Sequence, residues 1–128
     1  GGLLIIDYGY TDEKMKNTLK SISKHKLSNV LENFAKSDIS YDINFKLIEK
    51  IVTKLGLKVS GITSQKKFLQ DLGILERAEI ISKNLPFSEK ANIYYRVKKL
   101  IDENAMGKLF KVMFVSKKNI KFKIGFNN

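Results

Sequence analysis

At 128 residues, with 43% hydrophobic residues, 29% charged residues and one proline, the chain has the length and composition of one folded domain and not of a disordered tail. The absence of cysteine excludes disulfides, thiolate metal sites and a cysteine nucleophile. A net charge of +11 invites nucleic acid, yet only Arg77 and Arg96 carry the guanidinium fork that phosphate and base readout favour, so a solvated basic surface is the stronger reading and no nucleic-acid partner is expected.

The chain opens GGLLIIDYGY. Leu3 to Ile6 form an aliphatic run bounded by glycines, the pattern of a strand covered on both faces. The run is too short to cross a bilayer and lacks the basic flank of a signal peptide, so the chain reads as soluble and cytoplasmic, with no membrane association. Thr18 to His25 carries a weaker strand pattern, and Ser28 to Asp38 reads as a long polar connection. From Phe45 the period changes: Phe45, Ile48, Ile51, Val52 and Leu55 share one helical face, with Asn44 as N-cap and Gly56 just past the end.

Leu57, Val59, Gly61 and Thr63 then alternate as a strand. It stops at Ser64, the predicted N-cap of a short helix that carries Phe68, Leu69 and Leu72 and ends at Gly73. Further helices are predicted over Ile74 to Asn84, ended before Pro86, and over Ser88 to Asn104 with Ile93, Val97, Leu100 and Ile101 inward. LFKVMFV, Leu109 to Val115, is a second apolar strand with one interior charge, Lys111, whose ammonium must reach solvent or a carboxylate unless the strand lies near an edge. Ile120, Phe122, Ile124 and Phe126 alternate with Lys121, Lys123 and Gly125, which predicts an extended amphipathic tail. Periodicity leaves open whether the last strand runs parallel or antiparallel, but it predicts an unbalanced sheet with few partners for its two apolar strands.

The chemistry is sparse. Neither GxGxxG nor GxxxxGK[ST] occurs, so no nucleotide-type cofactor loop is present. His25 is the only histidine, placed in KHK, which argues for a turn residue and against a metal site; GxSxG is also missing. Asp7-Tyr8-Gly9 is the foremost polar cluster, since ligands in open α/β sheets sit beyond the carboxyl ends of strands. Two readings stand open there: a site wall, or a turn in which Asp7 caps, Tyr8 packs and Gly9 supplies a positive φ. Asp38 and Asp42, in DISYDIN, read as turn and capping residues. Gln65 either offers its amide to a ligand or sits exposed at a helix start.

In order along the chain, GGLLIIDYG at 1–9, Thr18-Leu19, His25, Asp38, Phe45, Gly56, SQxxFL at 64–69, LGI at 72–74 with Arg77, and MGxLFKVMFVS at 106–116 resemble the C-terminal half of the MidA-type S-adenosylmethionine-dependent methyltransferases. That family includes the mitochondrial complex I assembly-factor arginine methyltransferase. The resemblance implies a class I, Rossmann-like α/β fold with its last strand antiparallel: residues 1–7 as the fifth strand, 57–63 as the sixth, and 109–115 as the seventh, inserted between them.

It further implies that residues 1–128 are a single incomplete domain whose N-terminal, cofactor-binding half is absent. S-adenosylmethionine would serve the complete family member, and no cofactor is expected to bind this chain alone. The implied function is transfer of a methyl group to an arginine of a respiratory complex I subunit, by a chain that is inactive until a separately encoded N-terminal half joins it. Asp7 and Tyr8 are the implied catalytic residues and Asp38 and Gln65 the substrate-binding ones, with no cofactor or metal ligands. One departure stands out: where the family reads DLTxHVDF this chain reads DISYDINF, so Asp42 replaces a histidine. The alternatives are a basic, non-enzymatic module for RNA or an acidic protein, and a non-functional remnant of a split gene. The unpartnered edge at 3–6 predicts exposed apolar surface and self-association.

Overall fold

The computed structural model describes residues 1–31, 35–120 and 122–126. Among the described residues seven strands and five helices follow one another: β1 (Gly2–Tyr10), β2 (Lys20–Ser23), β3 (Lys26–Ser28), β4 (Asp38–Ser40), β5 (Ile43–Asn44), α1 (Phe45–Lys54), β6 (Lys58–Ser64), α2 (Gln65–Asp71), α3 (Ile74–Ser82), α4 (Phe87–Ile101), α5 (Met106–Leu109) and β7 (Phe110–Ser116). The main sheet has the order β5-β1-β7-β6, and β2, β3 and β4 form a separate sheet in the order β3-β2-β4. β7 runs antiparallel to both neighbours, with Ile5 opposite Met113 and Met113 opposite Ile62. The seventh-strand insertion implied by the resemblance is therefore present, and it settles the direction that periodicity left open.

The alternation of β7 divides the core between the two faces of the sheet. Met113 and Val115 point to the face covered by α1, where they pack with Phe45, while Val112 packs on the other face with Phe68 of α2 and with Phe126. Local signals set the two helix starts: Asn44 Oδ1 accepts the Leu47 N–H at 3.1 Å, and Ser64 Oγ accepts the Lys67 N–H at 3.2 Å. Gly56 (φ 78°) and Gly73 (φ 76°) end α1 and α2 in the left-handed region that favours glycine. Asn44→Ala is expected to lower stability by about 1 kcal/mol, the ordinary cost of a lost N-cap, seen as a lower urea midpoint at an unchanged slope.

Three expectations need correction. β1 is not covered on both faces: Leu3, Leu4 and Ile6 are 59%, 43% and 44% exposed. On the side away from β7 the strand is paired only at Gly9 and Tyr10, by the two-residue β5, so among the described residues nothing shields Gly2 to Tyr8 along that edge. The tail is not an extended strand. Gly125 turns the chain at φ 78°, and Phe122 and Phe126 fold back onto Phe114 and Phe68, with ring centroids 4.2 and 5.4 Å apart. Gly61, at a register shift in β6, allows this return, because a Cβ there would lie 2.8 Å from the Phe126 ring. Lys121 of the predicted tail lies outside the described residues, as do residues 32–34 of the predicted polar connection. The rest of that connection is not simply polar loop, since it includes the start of β4 and the end of β3.

Candidate functional site

β1 and β6 both deliver their carboxyl ends to one side of the main sheet. There the register aligns Asp7 of β1, Lys111 of β7 and Ser64 of β6 in one row, and paired residues of antiparallel strands share a face. Asp7 is exposed, and its Oδ1 accepts the Tyr8 N–H at 2.7 Å. Tyr8 stands on the opposite face, opposite Phe110, with the two ring centroids 4.1 Å apart. The side-chain period of two thus separates Asp7 from Tyr8, so they do not converge on one pocket. Gly9 does not supply a positive φ. It is small because the chain returns against it: a Cβ would lie 2.5 Å from Phe45 Cε2 and inside contact distance of the Ile43 carbonyl.

Just beyond Tyr10, the last residue of β1, lies an open cleft of about 410 Å³. Tyr10, Met15, Thr18, Tyr41, Asp42 and Asn44 are among the residues that line it. Its wall is knitted by side-chain to backbone bonds: the Lys16 N–H donates to Tyr10 Oη at 3.0 Å, and the Asp42 N–H donates to Thr18 Oγ1 at 2.9 Å. Lys16 Nζ sits 5.1 Å from the centre of the Tyr10 ring, and Lys20 Nζ lies 3.8 Å from the Asp42 carboxylate. The sequence marks Asn44 as a cap, Asp42 as a turn residue standing in place of a histidine, and Thr18 as a strand start within the resemblance, and it gives no sign of Tyr10. The pairing of β5 with β1, which brings 41–44 to the end of β1, leaves no periodic signal in two residues.

The remaining sequence candidates fall elsewhere. Asp38 is exposed on β4 of the small sheet, opposite Ile22, and forms no part of the row with Asp7. Gln65 is not exposed at its helix start: it is 7% exposed, and one N–H of Nε2 donates to the Leu100 carbonyl at 2.9 Å, tying α2 to the end of α4. His25 is a turn residue, adopting φ 61° beside Lys24 at φ 50° in the link between β2 and β3. Among the described residues, no group of three histidine or carboxylate side chains could hold a metal.

Lys111 takes neither a carboxylate nor an edge position, and its bond to protein lies at the surface. β7 is flanked on both sides, and the half-buried ammonium donates to the Lys108 carbonyl instead of to a carboxylate. Desolvation, with the nearby Lys108 charge, holds its pKa below the ordinary 10.5. A lysine with a lowered folded pKa opposes folding fully below that pKa, and the penalty fades as pH rises towards the unfolded value. Lys111→Met is therefore expected to keep or raise stability at neutral pH. Its advantage over the parent should shrink as urea midpoints are taken up through the lysine range.

Residues 1–63 match a family model described as "Putative S-adenosyl-L-methionine-dependent methyltransferase". Curated relatives include protein arginine methyltransferase NDUFAF7, mitochondrial, of Danio rerio, 28% identical over 90% of this chain and 27% of the relative. The Drosophila melanogaster homologue is 31% identical over 88% of this chain and 26% of the relative. This chain thus spans about a quarter of the length of the curated relatives it matches. A solved Burkholderia thailandensis protein superposes on the whole chain with a TM-score of 0.82 and 28% identity, covering 36% of that protein. A second, solved bound to S-adenosyl-homocysteine, gives 0.80 and 28% over 35%. The cytoplasmic placement is corrected by the same relatives, whose names place them in mitochondria. No helix among the described residues is long and apolar enough to cross a membrane. By sequence match and by a shared mixed α/β fold, this chain is a relative of the MidA-type S-adenosylmethionine-dependent methyltransferases.

Proposed function

We propose that the chain forms the C-terminal portion of an S-adenosylmethionine-dependent protein arginine methyltransferase and acts only together with an upstream polypeptide that binds the cofactor. One observation carries this reading: the antiparallel β7 lies between β1 and β6, in a unit that superposes along its whole length on about a third of a solved relative. The uncovered edge and apolar faces of β1 support it, since a strand laid along Gly2 to Tyr8 would complete the sheet. The methyl acceptor proposed is an arginine of a respiratory complex I subunit, in mitochondria.

This reading gives the cofactor to the upstream polypeptide. A cradle for it needs backbone bared by glycine, yet the close-packed glycines Gly2, Gly9, Gly61, Gly107 and Gly125 face this chain's own Phe114, Phe45, Phe126, Ile101 and Phe68. No step of transfer is therefore routed through it here. What this portion contributes is position: Asp7, exposed at the carboxyl end of β1, is offered as a carboxylate that holds a guanidinium in place, while Asp38 and Gln65 keep the structural places described above.

Calorimetry with S-adenosyl-homocysteine is expected to give no saturable heat with this chain alone and saturable binding once the upstream polypeptide is added; the same mixture supplied with S-adenosylmethionine is expected to methylate an arginine peptide. Saturable binding by the chain alone overturns the proposal. Without that polypeptide the bare β1 edge is expected to drive self-association, measured as concentration-dependent sedimentation that Ile6→Lys reduces.

A further inference from the structure

Lys111 is a partly buried charge near the start of the inner strand β7, and its surroundings give it a use. It lines a cavity of about 350 Å³ together with Ser64, Lys66, Glu103, Gly107 and Lys108. The lining thus holds three lysines and one glutamate, and that carboxylate is engaged: Lys66 Nζ lies 2.6 Å from Glu103 Oε1. Lys111 has a backbone carbonyl as its hydrogen-bond partner, which leaves further N–H donors on a partly desolvated ammonium. Ser64 Oγ accepts the Lys67 N–H, so its own hydroxyl hydrogen remains to be given. Gly107 closes a wall: it is buried, its N–H donates to the Asp102 carbonyl, and a Cβ there would strike the Ile101 backbone. Asp7 is the neighbouring acidic group in the strand row, and no ion pair joins it to Lys111 among those the described residues form within 4.0 Å.

We propose that Lys111, Lys108, Lys66 and the Ser64 hydroxyl form a binding site for a single oxyanion, a carboxylate or phosphoryl group of a ligand, at the carboxyl end of β6. The anion takes the donors that Lys111 cannot place in protein and neutralises the excess charge around the cavity. This site does not depend on methyl transfer and stands whether or not the function proposed above holds.

The test is a titration of the full chain with inorganic phosphate and, separately, with acetate, against chloride at equal ionic strength, followed by the side-chain NMR signals of the lysines. A saturable shift confined to Lys111, Lys108 and Lys66 is expected, with the Lys111 titration moving upward. Lys111→Met should abolish the response at the other two, Lys108→Gln on the surface should weaken binding about tenfold, and Glu103→Gln should tighten it about threefold by removing the competing carboxylate. Tighter binding of phosphate than acetate assigns a phosphoryl ligand; the reverse order assigns a carboxylate. The proposal is overturned if all lysine signals move together with ionic strength for both anions, or if folded Lys111→Met leaves the response at Lys108 and Lys66 unchanged.

Discussion

Phe45→Ala is expected to cost about 4 kcal/mol of folding stability, the largest loss from any single side-chain truncation in this chain. Phe45 is fully buried and is the first residue of α1, so one ring fixes the start of the helix against the sheet. It packs in one cluster with Met113 and Val115 of β7, and its edge lies over Gly9 of β1. Truncation removes the transfer energy of the ring and leaves a cavity between three elements that cannot all close at once. Against the 5–15 kcal/mol or so of a typical domain this is a large fraction, and thermal or urea unfolding of the variant would read it directly. A loss below about 1 kcal/mol would show that this ring is not the keystone of the α1 face.

Gly9→Ala should cost about 3 kcal/mol for the converse reason, one methyl too many. The new Cβ would meet the Phe45 ring and the Ile43 carbonyl, and neither is the free end of a flexible side chain. The carbonyl belongs to β5, which is held to β1 at Gly9 and Tyr10. Relief by pushing β5 away would also open the cleft at Tyr10 and Asn44. The two substitutions share a contact and should not be additive: Gly9→Ala placed in a Phe45→Leu background is expected to cost less than in the parent, measured by a double-mutant cycle on unfolding free energies. Equal costs in both backgrounds would mean that the strain at Gly9 lies with the Ile43 carbonyl alone.

What could be read in the sequence is what is decided locally. The caps at Asn44 and Ser64 and the stops at Gly56 and Gly73 depend on side-chain to backbone bonds or on φ within a few residues, and they stand where periodicity puts them. What was not legible is decided by distant partners. Gly9 reads as a turn glycine, but its smallness serves residues 43–45. Gln65 reads as an exposed helix start, yet a carbonyl 35 residues on takes its amide and buries it. The tail shows the alternation of a strand, but Phe122 and Phe126 are the pair that reaches the core, because one turn at Gly125 outweighs the pattern. The site is half legible for the same reason: Asp7 is exposed on β1, but the strand runs on to Tyr10 where a polar turn was expected, Tyr8 is turned away by the pleat, and the cleft wall at 41–44 comes through a two-residue pairing.

The place of β7 in the sheet also governs when the molecule can come into being. Among the described residues β7 leaves the ribosome after the other strands, and it is the strand that joins β1 to β6. Until residues 110–116 emerge, β1 has among the described residues only the short β5 as a ladder partner, and β6 has none. The sheet therefore closes only after residue 116 has been made, across pairings such as Gly2 with Ser116 that lie far apart in sequence, and such non-local closure is slow. During that interval Leu3 to Ile6 have no ladder partner on either edge among the described residues, and bare edges of this kind are open to aggregation.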